Sequence, residues 1–402
     1  MFYQRTLAKT IETATKAFKV ILLTGPRQVG KTTLFMHLKD SGRTYVSLDD
    51  IEANALAQAD PELFFQTYPP PILIDEVQRA PELFRAIKRI VDKSEERGLF
   101  WLTGSQQFHL MQHVSESLAG RVAILDLQGF SQAEKTGDPW RTPFRPDSVA
   151  QTPQGRTVHS SYDTFEMLVK GSFPKLFDED TPWDLFYSSY LRTYLERDVR
   201  EIINITNETA FIRFLKILAG RTSQILNYSD IARDAGIAVN TAKAWVSVLQ
   251  TSGNIFLLHP YFPRNFVKRM TKSPKLYFLD TGLCSYLCGI TSGKMAMEGP
   301  MSGALLETYA VSEILKSYWH NGKRANLSFY RDTSQKEIDL IIEENGKAYP
   351  VEIKQTGSPT SSMTVNFSLI EANVRGSGAI LCLSDKFIPM NRDVNIIPIG
   401  WI

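Results

Sequence analysis

Val20-Ile21-Leu22-Leu23-Thr24-Gly25-Pro26-Arg27-Gln28-Val29-Gly30-Lys31-Thr32-Thr33-Leu34-Phe35-Met36-His37-Leu38 is the stretch on which the reading of this chain turns. Its apolar opening, Val20 to Leu23, has the length and character of a short buried strand. Gly25 to Thr32 spell G-x-x-x-x-G-K-T, and Thr33 to Leu38 read as the start of a helix. Strand, glycine loop and helix in that order are the context that gives the P-loop pattern its meaning. Gly25 and Gly30 allow the backbone of Pro26, Arg27, Gln28 and Val29 to curl around a phosphate, and Thr33 continues into the helix. The helix N-terminus adds a favourable dipole for an anion. Lys31 reaches toward β- and γ-phosphates, and the Thr32 hydroxyl suits Mg²⁺. ATP with Mg²⁺ is the expected ligand pair.

A second stretch strengthens this. Pro71-Ile72-Leu73-Ile74-Asp75-Glu76 is an apolar strand ending in two carboxylates. Behind a P-loop at this distance it reads as a Walker B element. Asp75 is then expected to hold Mg²⁺ through water, and Glu76 to polarise the attacking water as a general base.

Together these motifs carry a family resemblance. From Leu22 to Gly129 the chain resembles the AAA+-type ATPases of the AAA_14 group, through LLTGPRQVGKTTL, ILIDEVQRAPELF, WLTGSQQF and SLAGRVAILDL. The C-terminal part resembles the DUF4143 region that accompanies them. The resemblance implies that Ser105 or Gln106, after the strand Leu99–Thr103, senses the γ-phosphate. Arg121, preceded by Gly120 and followed by a strand, has the guanidinium that suits charge on a transferring phosphoryl group, given in cis or by a neighbouring copy. The alternative is a structural arginine paired with a carboxylate.

Length and charge bound the rest. A chain of 402 residues suggests two or three domains. A net charge of +2 announces no global affinity for nucleic acid, so any such surface must be local. Three cysteines, Cys284, Cys288 and Cys382, make no disulfide framework and read as small buried hydrophobes. The start of the chain has no signal-peptide layout and no run is apolar enough to span a bilayer. A cytoplasmic protein without membrane contact is the expectation.

Along the chain, residues 1–140 alternate strands and helices and predict a parallel α/β sheet, with strands Val20–Leu23, Thr44–Leu48, Ile72–Ile74, Leu99–Thr103 and Val122–Leu127. Residues 141–184 read as a linker or lid region, the Pro- and Gly-containing stretch 137–159 as loop. Residues 185–290 read as helical. Within them Ser229 to Ile237 predicts a short helix and glycine turn, and Asn240 to Leu249 a second helix capped by Asn240. Strands Ile255–Leu258 and Leu276–Leu279 around a loop with Arg264, Lys268, Arg269, Lys272 and Lys275 complete a pattern that looks like a winged helix. It serves either as a DNA contact, through phosphates, or as a lid.

Residues 291–402 end the chain with a helix from Leu305, strands Phe329–Arg331 and Glu337–Ile342, a turn at Asn345-Gly346, and Tyr349–Lys354. Glu352 and Lys354, two apart, share one strand face. Glu307, Asp339, then Glu352-x-Lys354 resemble the PD-(D/E)XK nuclease core. That resemblance implies Asp339, Glu352 and Glu307 as Mg²⁺ ligands and Lys354 as the residue that steadies water or the scissile phosphate. The expected architecture is thus an α/β AAA+-like domain, a winged helix and a nuclease-like α/β domain. The expected function is ATP hydrolysis coupled to action on nucleic acid, duplex DNA favoured, with metal-dependent cleavage and nucleotide-dependent homo-oligomers. The alternative is a nucleotide-gated scaffold whose nuclease-like domain binds without cutting.

Overall fold

A computed structural model describes residues 2–104, 114, 117–139, 141–149, 159–195, 208–262 and 266–402. The chain forms two compact units. The first comprises Met1–Phe130 with the short segments Thr251–Gly253 and Trp319–Lys323, and the second Ser131–Gln250, Asn254–Tyr318 and Arg324–Ile402.

The first unit is built on a parallel sheet of β1 (Val20–Thr24), β2 (Thr44–Ser47), β3 (Ile72–Asp75), β4 (Phe100–Thr103) and β5 (Val122–Asp126), in the order β2-β3-β4-β1-β5. The central strands are buried on both faces, which is why they read as unbroken apolar runs. Helix Leu83–Lys93 shows the other period: Leu83, Phe84, Ala86, Ile87 and Val91 are buried and lie on one side of the helix. They join Leu22, Ile74, Phe100 and Leu102 in one core, so Ile87→Ala should cost roughly 2–5 kcal/mol. Strand order decides the site. β4 lies between β1 and β3, and all the C-terminal strand ends open on one edge of the sheet. The glycine loop, Asp75 and Thr103 therefore emerge side by side.

In the second unit, helices come first. Trp183–Tyr190 passes into a π-helical turn, Leu191–Leu195. Helix Tyr228–Ala235 ends on Gly236 at φ 71°, a left-handed cap that glycine adopts without strain, and Val239–Thr251 follows. Asn240 lies within the first turn of that helix instead of capping it. Trp245 packs edge-on against Phe211 and Phe214 of helix Glu208–Ala219, with centroids 5.1 Å apart in each pair. β6 (Ile255–Leu258) and β7 (Lys275–Phe278) form an antiparallel ribbon, with a helix Phe266–Thr271 between them. Asp280 then caps helix Thr281–Leu287, and its buried carboxylate accepts bonds from Ser172 N, Ser172 Oγ, Tyr187 OH and Leu283 N, each at 2.7 Å.

The rest of this unit is a mixed sheet of β8 (Leu327–Arg331), β9 (Glu337–Glu344), β10 (Lys347–Lys354), β11 (Gly378–Cys382), β12 (Ile388–Pro389) and β13 (Val394–Pro398), ordered β12-β13-β11-β10-β9-β8. The long helix Ser302–Trp319 precedes it, and buried residues lie on most sides of it, so it runs through the unit as a core element. β9 and β10 pair from Lys347 opposite Glu344 to Val351 opposite Leu340, while β10 continues alongside β11 as far as Lys354. Asp339 and Glu352 thus sit just beyond the last paired rung of the hairpin. Among the described residues, no helix is long and apolar enough to cross a membrane.

Candidate functional site

The glycine loop begins where β1 ends. Gly25 has φ 135°, and a Cβ there would lie 2.0 Å from the Leu127 carbonyl oxygen, so neither the torsion nor the space admits a side chain. Gly30 at φ 92° turns the chain into helix Lys31–Leu38. The Lys31 ammonium lies back across the loop, donating to the carbonyls of Gly25 at 2.9 Å and Pro26 at 2.7 Å. Pro26, Arg27, Gln28 and Val29 form the turn between the two glycines, with Gln28 also at positive φ. Thr33 continues the helix behind Thr32.

From β3, Asp75 faces this loop. Thr32 Oγ1 donates to Asp75 Oδ1 at 2.7 Å, and Thr103 Oγ1 donates to the same oxygen. Glu76 follows in the left-handed region at φ 56°, ψ 46°. For a residue other than glycine such a backbone costs on the order of 1–3 kcal/mol. The Glu76 N–H donates to Thr103 Oγ1 at 3.1 Å, and Gln78 Nε2 donates to Glu76 Oε2, which helps to hold it there. Thr103, the last residue of β4, therefore fastens both acidic residues.

Sequence reasoning placed the polar residue of this strand at Ser105 or Gln106, and both lie outside the described residues. Thr103 was passed over because a threonine inside an apolar strand reads as core. A second omission is Arg5, which is 3% exposed. Its guanidinium donates to Val29 O at 2.9 Å and to Gln128 O at 2.7 Å, and lies over the Phe130 ring. It ties the glycine loop to the segment after β5. Nothing in the sequence around Arg5 signals this, since its partners lie far along the chain.

Arg121 falls elsewhere. It precedes β5, whose first residue Val122 is paired with Val20, the first residue of β1. It stands at the opposite edge of the sheet from the glycine loop, roughly 16 Å away along five residues of strand. There Arg121 Nε donates to Asp92 at 2.5 Å, and the bond holds the Asp92 carboxyl below its ordinary pKa. A contact with the nucleotide of its own chain is corrected by this placement.

The second candidate site is in the other unit. Lys354 Nζ bonds Glu352 Oε2 at 2.6 Å and Asp339 Oδ2 at 2.9 Å. Asp339 Oδ2 also accepts the Ile353 N–H at 2.8 Å, a backbone donor that lies beyond the hairpin's last rung. Burial pushes the Glu352 carboxyl up to about 8, with the Asp339 charge adding to the effect. Burial acts on Asp339 in the same sense, but Lys354 and Lys275 outweigh it and hold that carboxyl below its usual value.

Glu307 departs from expectation. Its Oε1 accepts from Tyr277 OH at 2.6 Å and from Lys275 Nζ at 3.0 Å, and the same ammonium meets Glu337 Oε1 at 2.5 Å. Among the described residues, no three His, Cys, Asp or Glu side chains come together to hold a metal ion. The expected trio of Glu307, Asp339 and Glu352 is thus corrected to a pair, because Lys275 engages the third carboxylate. Lys275 itself was expected in a solvent-facing basic loop. It is 3% exposed instead. Arg269 is likewise tied to Glu343 at 2.8 Å. Arg264 lies outside the described residues, and among the described side chains of that stretch Lys272 is the exposed cation.

Three family models match the chain. An AAA domain matches residues 17–136, a domain of unknown function, DUF8612, residues 161–294, and another, DUF4143, residues 302–402. The chain is 29% identical over 403 residues to an uncharacterized protein of Mycobacterium tuberculosis, Rv2008c, covering 99% of this chain and 84% of that one. The same figures hold for Mb2031c, an uncharacterized protein of Mycobacterium bovis. Among solved structures, the Walker-type ATPase PABY2304 of Pyrococcus abyssi is similar at 14% identity and a TM-score of 0.42, over 71% of this chain and 96% of that chain. The RuvB Holliday junction branch migration motor of Thermotoga maritima is similar at 17% identity and a TM-score of 0.31, over 64% and 89%. The AAA domain match and the P-loop geometry support ATP binding and hydrolysis by the first unit.

Proposed function

We propose that this chain is an ATPase acting on duplex DNA and that its C-terminal sheet carries a metal-dependent nuclease site. In the first unit, Gly25 to Gly30 supply the phosphate loop. Lys31 exchanges its two carbonyl partners for phosphate oxygens. Glu76 takes the proton of the attacking water, and its unusual backbone fixes where the carboxylate points. Thr32 Oγ1 and Asp75 Oδ1, 2.7 Å apart, are hard oxygen donors of the kind Mg²⁺ takes and would hold the ion there. The ion supplies charge neutralisation at the phosphates when bound. Arg121, facing away from its own loop, serves a neighbouring copy in a nucleotide-dependent homo-oligomer.

The observation that carries the nuclease reading is the convergence of Asp339 and Glu352 on Lys354, where β9 parts from β10. Two carboxylates of opposed tendency at one point, one held ionised and one pushed up, are a donor set that a dication would relieve. Lys354 would then steady the water or the scissile phosphate. The helix pair Tyr228–Ala235 and Val239–Thr251 with its ribbon serves as a winged helix, exposing Asn240, Lys243 and Gln250. With Arg269 and Lys275 engaged by carboxylates, its salt dependence on DNA should be shallow, about one unit of slope per remaining phosphate contact. The test is incubation of the purified chain with plasmid and Mg²⁺ or Mn²⁺, with and without ATP. Cutting that Asp339→Ala abolishes is expected; cutting untouched by Asp339→Ala rejects the site.

The second reading, a nucleotide-gated scaffold, is favoured by one observation: Glu307 is held by Lys275 and Tyr277, away from the pair. DNA retained on the chain without cutting under every metal and nucleotide condition would select it.

A further inference from the structure

The carboxylates of the C-terminal site come from one segment of the chain, and one of their cations comes from another. Glu307, Glu337, Asp339 and Glu352 lie within residues 302–402, whereas Lys275 belongs to the ribbon and to residues 161–294. Its ammonium bonds Glu307 and Glu337 from the middle of a buried cluster. Its backbone is held as firmly. Lys275 pairs with Leu258 across the ribbon and bridges Ile225. A buried ammonium is costly unless carboxylates meet it, and gathered carboxylates are costlier without a cation. Lys275 is therefore a resident counter-ion, carried by a strand and not by a mobile arm.

This has two effects on a divalent ion approaching Asp339 and Glu352. Lys275 already supplies positive charge to the cluster, and its field extends to Asp339. It also fixes the orientation of Glu307, whose Oε1 is shared between Lys275 and the Tyr277 hydroxyl. Glu307 is the carboxylate that the pair lacks as a third ligand.

We infer that Lys275 is a positioning residue that keeps Glu307 apart from Asp339 and Glu352, so that the C-terminal site takes divalent metal weakly while the ribbon stays seated. The inference rests on the reading of Asp339 and Glu352 as metal ligands. Metal loading then requires the Lys275 ammonium to leave Glu307. The helical segment thereby controls a site to which it contributes no carboxylate.

The experiment is a Mn²⁺ titration of the full chain without nucleotide, followed by electron paramagnetic resonance. Only the binding that Asp339→Asn removes is counted. Lys275→Met should bind Mn²⁺ at least tenfold more tightly than the wild type, and Mn²⁺ should raise its Tm by more. Since Lys275→Met leaves Glu307 and Glu337 unbalanced and is prone to misfold, a second variant adds Glu337→Gln. That pair of changes preserves net charge and still frees Glu307. It should show the same tightening, and a further Glu307→Gln should return the affinity to the wild-type level. Equal Mn²⁺ affinity in the wild type and both variants, with Asp339→Asn abolishing it, overturns the role of Lys275 and leaves the metal reading standing. Mn²⁺ binding that is absent, or indifferent to Asp339→Asn, overturns the metal reading and this inference with it.

Discussion

Each unit of this protein sets a lysine beside carboxylates, and the two arrangements differ in what the lysine touches. Lys31 donates to the neutral backbone carbonyls of Gly25 and Pro26, while Asp75 is satisfied by the neutral hydroxyls of Thr32 and Thr103. Neither charge is cancelled by the other. Lys354 and Lys275 do the opposite, since every carboxylate near them is an ion-pair partner. Exchanging a carbonyl for a phosphate oxygen trades one charge-assisted hydrogen bond, worth about 1.5–3 kcal/mol, for another of at least that strength, and what is released is a neutral carbonyl. Breaking a buried ion pair leaves an uncompensated charge, at roughly 3–5 kcal/mol. The first site is built to accept an anion readily. The second resists a cation until something else gives way.

The largest expected effect tests whether the two sites are chemically separate. Glu76→Gln should keep ATP binding and lower turnover about 100-fold or more, the scale of a lost general base. Asp339→Ala in the same assay should leave turnover within about twofold. An equal fall in both variants would break the contrast between the sites.

Next in size is Lys31→Ala, which should weaken ATP binding by roughly 1.5–3 kcal/mol, about tenfold or more, as read by calorimetry. The fold should survive, because the two carbonyls it releases are neutral and no ion pair is broken with them. A melting temperature far below that of the wild type would show that Lys31 is structural, like its counterparts in the second unit.

Stability against pH sharpens the comparison from the other side. Glu352, raised to about 8 in the fold from an ordinary 4.5, binds more protons folded than unfolded between those values. Stability should therefore fall as pH rises from about 4.5 to 8, by up to a few kcal/mol. Asp339 is lowered, so its contribution is present above 3.8 and lost only as pH falls below that. The two windows do not overlap. Denaturant melts across pH should show the decline in the wild type and a flatter curve in Glu352→Gln; an unchanged slope would remove Glu352 as its source.

The smallest effect is at Arg121. Its pair with Asp92 is exposed and screened by water, so it contributes little to stability. Arg121→Ala should barely shift the melting temperature. If Arg121 serves a neighbour, the variant should lose ATPase activity only at concentrations where light scattering shows a larger species. Full activity at every concentration would leave only the ion pair.

How much of this was legible beforehand depended on distance along the chain. The parallel sheet, the glycine loop and the acidic end of β3 follow from local patterns: an apolar strand, glycines at two positions, a strand ending in acids. The Asp339, Glu352 and Lys354 cluster was legible too, because hairpin pairing and two-residue periodicity bring those residues together. What was missed depends on long-range pairing. Lys275 reads as one basic residue among five, and only the ribbon's seat beside helix Ser302–Trp319 turns it into a counter-ion. Thr103 is invisible for a related reason, since a hydroxyl at the end of an apolar strand matters only once strand order puts β4 beside β3.

The ATPase unit also recruits two short pieces of chain from far downstream, Thr251–Gly253 and Trp319–Lys323. Gln128, whose carbonyl Arg5 holds, gives its N–H to the buried His320 at 3.2 Å, and Gly253 has no room for a Cβ beside Pro26 except at 3.1 Å. The compact unit is therefore not the one that a linear boundary near residue 136 suggests. A gene fragment cut there would encode a glycine loop whose neighbouring turn lacks an acceptor, and it should melt below the same domain in the intact chain. Replacing the downstream segments removes the acceptor for the Gln128 N–H and the glycine that lies against Pro26.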